Sequence, residues 1–145
     1  MSELSGLFNY LTINTAKRSI YKFMALYYDL PVFRDVYKLI LNIFDYTKDF
    51  PKECKYTLGQ DIKRDGIQLV RSMYRANKEK DKRKYLESFQ DDFEILKLEI
   101  KICADMKILS LKKQAELSLL LDRLEDRKVD WKYKFSQESK KGYGK

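Results

Sequence analysis

Apolar side chains recur every three or four residues through most of this chain, a period that fits helices and does not fit strands. Phe33, Val36, Tyr37, Ile40, Ile43, Phe44 and Thr47 form the first such series. It predicts a helix over about residues 32–50, with Pro31 near the first turn and Pro51 just past the end. Leu58, Ile62, Gly66, Leu69, Met73 and Ala76 converge on one face of a second helix, about 57–77, with Thr57 as its candidate cap and Asn77 as its terminator. Gly66 lowers helix propensity by about 1 kcal/mol relative to Ala, and on a buried face it lets a neighbouring helix come close. A third helix, about 82–106, carries Leu86, Phe89, Phe93, Leu96, Ile100 and Cys103 as one stripe. Ile95, Leu98 and Ile102 form a second stripe almost opposite. The fourth helix starts at a capping Ser110 and carries Leu117, Leu120, Leu121, Leu124 and Trp131.

Four helices joined by short links predict an all-α fold, an antiparallel up-down four-helix bundle. Five Gly and two Pro in 145 residues are too few for the turns of an all-β fold. Residues 24–134 form the expected bundle domain, beginning at the Met24 run MALYYDLPVF. Residues 1–23 are an extension of open role, a peripheral helix or disorder. Residues 135–145, SQESKKGYGK with the preceding Phe, read as a flexible basic tail. No internal repeat is visible.

The chain has no histidine and only two cysteines, Cys54 and Cys103. Without His the commonest general base near neutral pH is missing, and two isolated thiols cannot complete a zinc site. No Gly-rich phosphate loop is present, since Gly59 and Gly66 sit inside a helix without the Lys-Ser/Thr ending. Asp91, Asp92 and Glu94 read as a solvated acidic face. The sequence therefore predicts no catalytic residue, no metal and no cofactor. No apolar run approaches the roughly 20 residues that cross a bilayer, and no basic leader precedes one. Cytoplasmic location and reduced cysteines, one of them in the core, are the expectation.

Charge is unevenly spread around a net +8. Residues 52–84 hold eleven Lys/Arg against five Asp/Glu, whereas residues 85–126 hold six against ten. Arg64, Arg71, Arg75 and Lys78 fall within roughly 60° of arc on the second helix, opposite its apolar face. Asp61 and Asp65 project elsewhere on the helical wheel, and Arg83 and Lys84 prolong the positive charge past the helix end. Guanidinium groups suit such a ridge because their planar fork bonds phosphate in pairs. The plainer alternative is a solvated face that serves solubility. Most aromatic residues, Phe33, Phe44, Phe89 and Phe93 among them, read as core. Tyr74, Tyr133 and Tyr143 remain as candidate stacking contacts. Ile95, Leu98 and Ile102 have no use in a lone bundle and predict a subunit interface.

Residues 30–77 run LPVFRDVYKLILNIFDYTKDFPKECKYTLGQDIKRDGIQLVRSMYRAN. They contain an LP-V start, Tyr-x-Leu, a Pro-Lys-Glu-Cys-Lys-Tyr-Thr turn, a Gly with paired basic residues, and a closing Tyr-Arg-Ala-Asn. Residues 108–134, ILSLKKQAELSLLLDRLEDRKVDWKYK, end with a Trp near the close of the last helix. This ordered set resembles the accessory variability determinant (Avd) of diversity-generating retroelements, over residues 24–134. The resemblance implies a homopentameric ring or barrel without activity of its own. Such a protein binds a reverse transcriptase and its structured template RNA in mutagenic cDNA synthesis. Related bundles encoded by intervening sequences of large ribosomal RNA usually carry a Ser-Asn-Ile-Ala-Glu-Gly run where this chain reads LVRSMYRAN. They supply the alternative, a structural oligomer with protein partners only. A small enzyme with an unrecognised site is the third hypothesis.

Overall fold

The computed structural model describes residues 4–16 and 31–142, with the side chains of Asn77 and residues 129–142 outside that description. The chain divides into two units, Met1–Leu30 and Pro31–Lys145. In the first, residues 4–16 form helix α1, which carries no charged side chain and exposes Leu4, Leu7, Phe8 and Leu11. Tyr133 and Trp131 as side chains, Tyr143, and the Met24 run all lie outside the described residues.

Every regular element among the described residues is helical. The second unit contains α2 (Pro31–Tyr46), a 3-10 turn (Thr47–Asp49), a single-turn α3 (Lys52–Lys55), α4 (Leu58–Lys78), α5 (Lys82–Asp105) and α6 (Leu111–Gly142). Helix α2 packs on α4 and α6, and α5 packs on α4 and α6, so α2 and α5 sit diagonally across one core. Val36, Leu39, Leu69, Phe89, Phe93, Leu96, Leu117 and Leu124 are fully buried there. A Cβ built on Gly66 would lie 3.4 Å from Ile40 Cγ1, so α2 lies against α4 at van der Waals distance where the glycine allows it.

Four local expectations change. The first helix does not run unbroken to Phe50, because the chain tightens into the 3-10 turn and Pro51 forces a break before α3. Thr57 does not cap α4; its hydroxyl donates backwards to the Glu53 carbonyl at 2.8 Å, closing the α3 turn instead. Tyr37 and Phe44 are exposed rather than core, since α2 meets its neighbours through Val32, Phe33, Val36, Leu39, Ile40 and Ile43. The cap at Ser110 is present, with its hydroxyl accepting from the Lys113 amide at 3.3 Å. Helix α6 continues through Gly142, across much of the segment 135–145 that the sequence reads as a flexible basic tail. Lys, Gln, Glu and Ser dominate there without a proline, and all but Ser favour helix.

Helix α5 ends in a Schellman turn. Lys107 takes φ 61°, the Ile108 amide reaches the Cys103 carbonyl at 3.1 Å, and the Lys107 amide reaches that of Ala104 at 3.0 Å. The joint to α6 is thereby fixed within five residues. Both cysteines are free thiols, and burial with the nearby Glu99 pushes Cys103 up to about 12.

Polar groups tie the helices where the apolar seams end. Asp35 on α2 is buried and accepts from Arg127 Nε on α6, with Arg123 at 4.0 Å. Tyr46 donates to Glu116, and burial followed by that contact raises its phenol to about 12. Lys113 closes the same end, 3.0 Å from Asp49 and 5.1 Å from the Tyr46 ring centroid.

Candidate nucleic-acid interface

Helix α4 buries Ile62, Gly66, Leu69, Met73 and Ala76, which turns Arg64, Arg71, Arg75 and Lys78 outward. All four are exposed, so the ridge exists as a surface. Its members differ electrostatically. Arg71 and Arg75 have no carboxylate within ion-pair distance among the described residues. Lys78 leans over the Tyr74 ring, 5.8 Å from its centroid, and keeps its ammonium in solvent. Arg64 is held by its own helix, 3.2 Å from Asp61 and 3.5 Å from Asp65. Their separate positions on the helical wheel do not keep those carboxylates off the ridge, because a guanidinium reaches one turn along the helix.

Past the end of α4, Arg83 stands 3.5 Å from Glu87 and Lys84 lies 5.9 Å from the Tyr85 centroid. Both are exposed. The ridge therefore offers, at its centre, two guanidiniums that are unpaired among the described residues, with Lys78 and Lys84 beside them, and two arginines that must first leave a carboxylate. Tyr74 is exposed among these cations and gives the surface one aromatic face.

Ile95, Leu98 and Ile102 project from α5 into solvent, joined by Met106. Against the reading of a wholly solvated acidic face, Asp92 turns inward and accepts from Ser72 of α4 at 3.1 Å. Burial raises its carboxyl, as does the neighbouring charge of Asp65, while the Ser72 hydrogen bond opposes the rise.

A polar seam between α4 and α5 was not legible in the sequence. Glu99 is 8% exposed, shares a hydrogen bond with Asp65, and leaves Oε2 without a partner among the described residues. Burial raises its carboxyl to about 8, helped by Asp65 and Asp61 and opposed by Arg64. Finding the seam from sequence would require the register between two helices. Among the described residues no group of three or more His, Cys, Asp or Glu is placed to hold a metal ion. None of the described helices is long and apolar enough to cross a membrane.

Against known families, residues 32–125 match the model described as bAvd-like. No curated protein matches the chain. The matched span runs from the start of α2 into the first half of α6, well over half of the 145 residues, and includes the whole basic ridge and the α5 stripe. The chain belongs to the bAvd-like family.

Proposed function

We propose that this chain is a non-enzymatic accessory protein of a diversity-generating retroelement, acting in the cytoplasm on a reverse transcriptase and its structured template RNA. In this reading α2, α4, α5 and α6 form an antiparallel four-helix bundle that assembles into a homopentameric ring. The α5 residues Ile95, Leu98 and Ile102 lie in the subunit contact. Arg64, Arg71, Arg75, Lys78, Arg83 and Lys84 face RNA. The observation that carries the RNA contact is the pair Arg71 and Arg75, exposed on one face of a rigid helix with no carboxylate partner among the described residues. Copies of that pair around a ring add their counterion release, which strengthens binding to a polyanion without reading its sequence. Family membership supports the accessory role.

The test is Arg71→Ala with Arg75→Ala, measured for RNA affinity at several salt concentrations and for capture of the polymerase. RNA binding is expected to weaken alike across sequences. The slope of log affinity against log salt should flatten by roughly 0.7 to 0.9 for each phosphate that the variant no longer neutralises. Fold and oligomer mass should hold, because both side chains lie off the core. Affinity and slope equal to wild type would leave the ridge as a solvated face and favour the structural oligomer with protein partners only. Loss of polymerase capture with RNA affinity intact would assign the ridge to the enzyme instead.

A further inference from the structure

The cations of α4 have a second row beside them. At about 100° per residue, Ile67 and Tyr74 fall within about 20° of each other and about 40–60° from Arg71, on the edge away from Arg75. Ile67 is 43% exposed and Tyr74 44%, so each rests partly on the protein and opens partly to solvent. One side of α4 thus carries two parallel rows, one cationic and one apolar and aromatic. Arg71 lies one turn before Tyr74 and Lys78 one turn after it. Lys78 links the rows, with its ammonium 5.8 Å from the Tyr74 ring centroid.

What reaches the second row depends on how a nucleic acid holds its bases. An A-form RNA duplex keeps them paired inside, its major groove is too narrow for side chains, and it meets a protein mainly through phosphates and 2′-hydroxyls. Arg71 and Arg75 can bind such a duplex, but the Tyr74 ring finds no base to stack on. An unpaired strand leaves its bases free, so its phosphates can lie on the arginines while a base lies flat on Tyr74. Ile67, two turns back along the same edge, offers apolar contact to a neighbouring base. The Lys78 ammonium is no barrier, since an exposed cation–π contact is weak and the charge stays within reach of the phosphate beside the stacked base. A protein surface docked on the same ring would have to desolvate Arg71, Arg75 and Lys78 around it, whereas nucleotides bring a phosphate to each.

We propose that Tyr74, with Ile67 beside it, makes this face of α4 a site for unpaired nucleotides, so that the protein takes loops, bulges and single-stranded ends of RNA in preference to its helices. The inference rests on the RNA reading of the ridge and goes beyond it by naming the form of RNA and the residue that selects it. The arginines attract any polyanion, and the tyrosine ring discriminates between paired and unpaired bases. Such a site tolerates many sequences, because every base has a π face.

Fluorescence anisotropy on the full chain tests this, with a labelled RNA strand free of self-complementarity and the same strand annealed to its complement. Wild type should hold the single strand more tightly at equal salt. Tyr74→Ala should weaken single-strand binding by roughly 5- to 100-fold for each base stacked and leave duplex affinity as it was. Its salt slope should equal that of wild type, because no phosphate contact is removed. Tyr74→Phe should bind like wild type, since stacking uses the ring and not the hydroxyl. Arg71→Ala with Arg75→Ala should instead weaken both RNAs and flatten both slopes. A wild type that prefers the duplex overturns the proposal. So does a Tyr74→Ala protein that keeps single-strand affinity or loses both affinities alike, although a weakened arginine variant then still upholds the ridge. An arginine variant that binds both RNAs as wild type does removes the ridge reading and the proposal together. If Tyr74→Ala loses helicity by circular dichroism, Tyr74→Leu keeps apolar contact with the helix and still removes the stacking face.

Discussion

Glu99→Gln is expected to stabilise the protein by on the order of 3 kcal/mol at pH 7 and to leave it unchanged near pH 4. Glu99 is 8% exposed between α4 and α5, with Asp65 and Asp61 facing it and Arg64 as the opposing cation. Burial, with Asp65 and Asp61 beside it, pushes its folded carboxyl from the ordinary 4.5 up to about 8. The folded state therefore holds the proton more tightly. Ionisation of this group favours unfolding progressively as pH climbs from 4.5, and the loss levels off above about 8. Glutamine stays neutral at every pH and retains an N–H to offer Asp65, so it keeps the contact and omits the buried charge. Urea unfolding at pH 4, 6, 7 and 8, at one protein concentration, should show the two stability curves diverging through that window. A constant offset between them would rule out titration of Glu99 as the cause.

Phe93→Ala should cost about 3–5 kcal/mol, the usual range for removing a fully buried aromatic ring. Phe93 is fully buried on α5 and stacks near-parallel to Phe89, with centroids 6.2 Å apart. Its ring also receives two cations from different helices, Lys97 at 5.0 Å and Lys128 at 5.5 Å. Both lysines then hold Glu125 of α6, at 2.6 and 3.0 Å. Hydrogen bonding to Lys97 is the main influence that keeps the Glu125 carboxyl below its ordinary range. The ring is thus the floor of the α5–α6 ion cluster as well as core. Phe93→Leu separates the two roles, since it keeps most of the buried volume and removes the π face. Leucine should recover most of the stability but leave Lys97 and Lys128 less fixed, seen as a smaller effect of Glu125→Gln than in wild type. If leucine is as damaging as alanine, packing shape rather than burial governs the site.

The stripe of α4 was legible because that helix has one dominant apolar face and a polar back, and the core stripe of α5 because its positions keep helical spacing although a second, exposed apolar stripe lies almost opposite. The same rule misled on α2, where Tyr37 and Phe44 keep helical spacing with the core yet are exposed, and buried Leu39 stands outside the series. The apolar arc of α2 is wider than its buried face, so spacing shows that the segment is helical and not where the buried part of that arc ends. The ridge of Arg71 and Arg75 was legible as a direction, since a helix fixes where Cα–Cβ bonds point. The two carboxylates beside Arg64 were missed because that direction says nothing about how far a long side chain bends back. Glu99 meeting Asp65, and Asp92 meeting Ser72, depend on how α5 slides along α4, which one helix read alone does not contain.

Arg64 belongs at once to the outer ridge and to the inner seam: it pairs with Asp61 and Asp65, and it is the cation that lowers the affinity of Glu99 for its proton. An anion that draws Arg64 outward leaves Asp61 and Asp65 uncompensated beside Glu99, whose proton affinity then rises. Reciprocity makes the two events one: filling the ridge takes up protons from solution, and alkaline conditions that strip Glu99 tether Arg64 more firmly to its own helix. Calorimetric titration with RNA at pH 8 in two buffers of unlike ionisation heat should give enthalpies that differ by the protons absorbed. Arg64→Ala or Glu99→Gln should remove that difference.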